Sequence, residues 1–143
     1  MPRRSEIVAA ARDWLDVPYQ HQGRTRDGID CIGFTWAVAK DLGYDAIIPA
    51  NYSTHPKGNQ LIVGCEKWLI RQERMQLIAG DIAIMWGFTR GEAQHFAIMG
   101  ESSARLTMIH AWSRHGKVVE HGYDNFWAKR LMAIYCLPDT TEG

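Results

Sequence analysis

At Gly80 the spacing of apolar residues changes from helical to extended, and few architectures accommodate that change within one chain. Before it, Ile7, Val8, Ala11, Trp14 and Leu15 recur at i, i+1, i+4, i+7 and i+8, and Leu61, Ile62, Cys65, Trp68, Leu69 and Gln72 repeat the pattern, the stripe of an amphipathic helix. After it, Asp81–Trp86, Gln94–Met99, Arg105–Trp112, Lys117–Glu120 and Arg130–Leu137 are short runs rich in Ile, Val, Met and aromatics, separated by Gly, Ser and charged residues. These read as five strands. Helices first and strands afterwards predict an α+β fold, N-terminal helices packed on a mainly antiparallel five-stranded sheet. With 143 residues and no internal repeat, low-complexity segment or linker, residues 1–143 read as a single domain.

Local signals place the elements. Ser5 is the expected N-cap of the first helix, which should end by Asp16 because Pro18 disfavours helical backbone at Val17. Tyr19–Ile29, with Gly23 and Gly28 among polar residues, reads as a surface loop. Asp30 is expected to cap a second helix whose apolar positions Ile32, Trp36, Ala39 and Leu42 hold their spacing until Gly43. Tyr44–Gly58 reads as a long connection, and the third helix, Leu61–Gln72, puts Cys65 on its buried stripe.

Cys31 is then the first residue of the second helix. A thiol there lies among backbone N–H groups without intrahelical partners, near the positive end of the helix dipole, so its pKa is expected to fall. A catalytic thiolate needs a histidine, and that histidine needs a polar group to hold its ring. His95 and His110 lie on consecutive predicted strands joined by Gly100–Ala104. A hairpin centred between Ser102 and Ser103 sets the two histidines directly opposite each other, with Cβ atoms about 5 Å apart. A one-residue slip would send them to opposite faces. His21, His55, His115 and His121 read as solvated surface.

Composition excludes several classes. Sixteen basic and sixteen acidic side chains cancel, so neither nucleic acid nor an anionic membrane is an expected partner. Three cysteines with no metal-type pair spacing suggest reduced thiols, not a disulfide framework. The N-terminal segment does not read as a signal peptide, and no apolar run approaches a membrane span. A zinc site on Cys31, His95 and His110 is conceivable in ligand type but lacks a fourth ligand; no metal and no cofactor are expected.

Five motifs in order, Trp14–Tyr19, Asp30–Phe34, Gly80–Ile84, Gln94–Gly100 and Met108–Ala111, resemble the NlpC-type papain-like cysteine peptidases of bacterial cell walls. The ending, Val118–Glu120 and Phe126–Arg130, looks most like a phage tail or gene-transfer-agent branch. The resemblance implies a papain-like fold and cleavage of an amide in peptidoglycan stem peptides, commonly between a γ-linked D-glutamyl residue and a diamino acid, through a thioester. It implies Cys31 as nucleophile, His95 as base and acid, and His110 as the residue orienting His95. Tyr19 would line the site, and Asp30 would be either a helix cap or a contact for a substrate amine. Ile32 stands where many members have serine. Implied partners are the stem peptide and phage tail or secretion proteins. The chain would be made in the cytoplasm and act at the wall once delivered by a virion or other machinery. An amidase or acyl transferase on the same fold, or a non-catalytic phage structural protein, are the competing expectations.

Overall fold

The computed structural model describes residues 2–45 and 60–142; most of the expected Tyr44–Gly58 connection, His55 included, lies outside them. Helix α1 (Arg4–Arg12) starts earlier than its sequence suggests. Ser5 lies inside it, and the start is closed by Glu6 Oε1, which accepts from the Arg3 amide at 3.0 Å. Ile7, Val8 and Ala11 face inward as their spacing requires. A short ribbon, β1 (Arg24–Thr25) and β2 (Gly28–Ile29), occupies the expected loop. It leads into α2 (Cys31–Asp41), capped by Asp30, whose Oδ1 accepts from the Gly33 amide at 2.8 Å. Gly33 permits this approach: a Cβ there would lie 2.2 Å from the Gly23 carbonyl oxygen.

The third helix is shorter than expected. Only α3 (Gln60–Cys65) is helical, and Ile70–Gln72 instead form β3, antiparallel to β8 (Leu131–Cys136). Three residues of helical spacing are also three residues of a strand when a ladder of free backbone groups lies beside them, and the tertiary partner decides. Among the described residues the main sheet therefore has six strands, not five. Its order is β3-β8-β4-β5-β6-β7, all antiparallel, with β4 Ile82–Trp86, β5 Ala93–Ser102, β6 Arg105–Trp112 and β7 Lys117–Gly122. A single turn, α4 (Asn125–Ala128), precedes β8.

Strand alternation divides the core in two. Ile82, Ile84, Phe96, Ile98, Ile109, Ala111 and Tyr135 pack against α1 and the buried length of α2, where Ile32, Phe34 and Val38 are also core. Ala83, Met85, Ala97, Met99, Met108 and Ile134 form the other face with Leu77 and Trp127. Each fully buried side chain of the size of Ile or Phe contributes roughly 1.5–3 kcal/mol. Cys65 is buried in the first layer, and Cys136 is buried beside Arg4 and Asp81.

A charged clamp ties α1 to the sheet. Asp81 is fully buried and accepts from Arg4 at 2.9 Å, from both terminal nitrogens of Arg74 at 2.6 and 2.7 Å, and from the Ile78 amide at 2.8 Å. Burial alone would push its carboxyl up; these donors, with the Cys136 thiol, hold it below the usual value. Gly80 (φ +89°) makes room, since a Cβ there would meet Arg4 Cβ at 2.9 Å. The described ends are neighbours: Arg4 N donates to the Thr141 carbonyl at 3.1 Å and Thr141 N to that of Pro2 at 2.9 Å.

Candidate active site

The start of α2 carries the sulfur. Both oxygens of Asp30 are engaged by the backbone, Oδ1 by Gly33 N and Oδ2 by Gln22 N at 2.7 Å, and the residue is 2% exposed. Around the Cys31 sulfur stand the amides of Phe96, Ile32 and Cys31 itself, all of which favour a thiolate. They do not win. Burial, then the Asp30 charge, pushes the Cys31 thiol up to about 12, so the expected fall at a helix start is reversed by desolvation. Tyr19 borders both groups: burial, followed by the charges of Cys31 and Asp30, pushes its phenol up to about 12. Ile32 sits in the core at 5% exposure, filling the layer between α2 and the sheet.

Phe96 follows His95 on β5, so the sulfur lies against the strand that carries the histidine. The hairpin differs from its expected register. Ser102 pairs with Arg105, and the turn is Ser103–Ala104, both in left-handed backbone (φ +52° and +62°), which matches the twist of the flanking strands. The centre moves by one residue and the pairing by two, and a two-residue shift preserves the face. His95 and His110 become diagonal neighbours, and His95 Nε2 meets His110 Nδ1 at 2.7 Å. Both are buried, at 3% and 0% exposure, with Trp127 stacked on His95 at 5.6 Å and edge-on to His110 at 5.1 Å. Burial, with the Arg130 charge next, lowers His95 to about 3, and burial and neighbouring imidazoles also lower His110. Among the described residues no hydrogen bond joins the Cys31 sulfur to the His95 ring, whose bonded nitrogen faces His110.

The chain of rings continues beyond the expected pair. His110 Nε2 lies 2.8 Å from His121 Nε2, and His121 Nδ1 lies 2.9 Å from the Gly122 carbonyl oxygen. A carbonyl only accepts, so His121 carries its proton on Nδ1 and offers a lone pair at Nε2. His110 then donates from Nε2 and accepts at Nδ1, which makes His95 the donor from its own Nε2 and leaves His95 Nδ1 unprotonated. One backbone oxygen at the end of β7 sets the tautomer of three histidines.

His121 and His115, expected on solvated surface, join this cluster. Their ring centroids lie 4.9 and 5.9 Å from that of His110. The signal for His121 was its parity with His110 across β6 and β7, where Met108 faces His121 and His110 faces Val119. An open cleft of about 1050 Å³, lined by Trp112, Arg114, His115, His121, Tyr123 and Trp127 among others, lies on this side. The nitrogens of His110, His115 and His121 lie within 4.8 Å of one another, the three-ligand group that a metal ion would need.

The chain has relatives among known proteins. The probable endopeptidase NlpC of Escherichia coli (strain K12) is 26% identical over 130 residues, covering 87% of this chain and 75% of that one. The crystal structure of the NlpC/p60 domain of the peptidoglycan hydrolase SagA is similar, with TM-score 0.65 at 24% identity over 94% of this chain and 98% of that one. So is the peptidoglycan hydrolase RipB from Mycobacterium tuberculosis, with TM-score 0.63 at 16% identity over 93% of this chain and 63% of that one. At these identities the two structures speak for the fold. Family membership rests on sequence: residues 16–135, from the turn before Pro18 to the last strand, match the NlpC/P60 family, and the chain belongs to that family of peptidoglycan hydrolases.

Proposed function

We propose that this chain is a cysteine endopeptidase that hydrolyses an amide in peptidoglycan stem peptides, the bond between a γ-D-glutamyl residue and a diamino acid, with Cys31 as nucleophile, His95 as base and acid, and His110 as its positioning residue. The observation that carries the reading is the relay from the Gly122 carbonyl through His121 and His110 to His95. It leaves His95 Nδ1 unprotonated, in a strand whose next amide faces the Cys31 sulfur.

The chemistry follows from neutral partners. As the Cys31 sulfur attacks the carbonyl carbon, its proton passes to His95 Nδ1, and the Cys31 amide at the open helix start receives the developing oxyanion. Loss of one such donor costs roughly 10²–10³ in rate in other hydrolases. Breaking the C–N bond releases the amine with the proton from His95 and leaves a thioester. Water then gives a proton to His95, attacks the thioester, and frees the acid and the thiol. Throughout, His95 Nε2–H points at His110 Nδ1, stabilising the transient imidazolium. Tyr19 lines the site beside the nucleophile. Asp30, its oxygens held by Gln22 and Gly33, acts on a cationic substrate amine through its charge. No helix among the described residues is long and apolar enough to cross a membrane; delivery to the wall by a phage virion or a secretion machine completes the proposal.

The test is digestion of purified sacculi and stem peptides by wild type and Cys31→Ala, with products identified by mass spectrometry. New termini at the γ-D-glutamyl bond, absent with the variant, are expected. Undiminished cleavage by Cys31→Ala would overturn the reading, and a product carrying an added amine would identify acyl transfer on the same site.

A further inference from the structure

We propose that His110, His115 and His121 form a three-imidazole site for Zn²⁺ whose occupation switches the peptidase off. The ligand atoms lie within 4.8 Å of one another, and the ring centroids form a nearly regular triangle with sides of 4.9, 5.7 and 5.9 Å. Tetrahedral zinc with Zn–N near 2.1 Å places its ligand nitrogens about 3.4 Å apart. His110 Nε2 and His121 Nε2, now at 2.8 Å, need to open by roughly half an ångström. His115 is exposed in the turn between β6 and β7, its ring already against those of Trp112 and His121, with centroids 5.4 and 5.7 Å away. The fourth position faces the open cleft, where water completes the shell.

His121 is already in the form a ligand takes. Its Nδ1–H is held by the Gly122 carbonyl at 2.9 Å, which orients the ring and directs the lone pair of Nε2 toward the other two imidazoles.

The switch is a matter of tautomers. In the metal-free relay His110 carries its proton on Nε2. Zinc takes the Nε2 lone pair, so that proton moves to Nδ1, and His110 becomes a donor toward His95 Nε2. The His95 proton then resides on Nδ1, the nitrogen that receives the Cys31 proton in the proposed mechanism. Proton count is conserved across the two rings, and the base is lost without any change at the sulfur. His110 and His121, which support His95 through the relay when metal-free, therefore oppose it once His115 joins them on the metal.

The inhibitory half rests on the proposed roles of His95 and His110, whereas binding does not, and the experiment separates them. Untagged, chelator-treated protein is titrated with Zn²⁺ against a chromophoric chelator, and the rate of Cys31 alkylation by iodoacetamide and the rate of stem-peptide hydrolysis are followed in parallel. The expected result is one Zn²⁺ per chain, retained in Cys31→Ala and at least tenfold weaker in His115→Ala. Alkylation and hydrolysis by wild type should fall severalfold over the same Zn²⁺ range and recover with EDTA. His115→Ala should keep its metal-free rates and need at least tenfold more Zn²⁺ to lose them. Absence of stoichiometric binding, equal affinity in His115→Ala, or loss of the site in Cys31→Ala overturns the site. Full occupancy with unchanged alkylation overturns the switch, whether or not any wall substrate is cleaved.

Discussion

Cys31 and His95 are each pressed toward neutrality by burial, one up to about 12 and the other down to about 3. Burial favours the neutral thiol and the neutral imidazole over a preformed ion pair. Iodoacetamide alkylation of Cys31 should therefore keep accelerating above pH 8, because a raised thiol pKa leaves thiolate scarce at neutrality; a plateau between pH 5 and 7 would show an ion pair instead. His121→Ala removes the acceptor for His110 Nε2–H, a partly buried hydrogen bond worth about 1 kcal/mol. It should lower kcat roughly five- to tenfold, leave KM in place and shift the acid limb of the pH profile, and an unaltered profile would assign His121 a packing role only. That Cys31 opens a helix and that His95 and His110 share one face of a hairpin was legible, because a helix start and a hairpin are local features. His121 was not, since an isolated strand histidine becomes a relay member only through the β6–β7 register and the Gly122 carbonyl.

Among elements, α2 was readable to its cap because Asp30, the apolar spacing and Gly43 agree with one another. Residues 61–72 were not, because Ile70–Gln72 answer to β8, more than sixty positions away in sequence, and not to their neighbours. The hairpin was read on the correct face with the wrong partners: Ser103–Ala104 adopt left-handed backbone without the glycine or asparagine that usually announces it. The Asp81 clamp is the joint on which α1 and the sheet depend. Asp81→Asn leaves Arg4 and Arg74 facing a neutral group in a buried position, and denaturant unfolding should show a loss of roughly 3–5 kcal/mol. A change below 1 kcal/mol would mean that Arg74, a third exposed, relaxes into water and carries Arg4 with it.

At the scale of the molecule the buried histidines govern the response to acid. Their native pKa values lie below 6.5, so as pH falls below about 6.5 the unfolded chain takes up protons that the native state refuses. Stability is then fully present above that pH and declines toward about 3, with Asp81, held below its usual value, adding a loss in the lowest part of the range. Urea midpoints should rise from pH 5 to 7 and level off above, and His95→Gln should flatten the slope; a midpoint independent of pH over that interval would contradict the burial argument. The adjacency of Pro2, Arg4 and Thr141 has a separate consequence. Pro2 and Thr141 leave from one place on the molecule, so a short linker between them can close the described chain into a circle. New termini opened at Ser103–Ala104, on an exposed turn, should then yield a permutant that still folds.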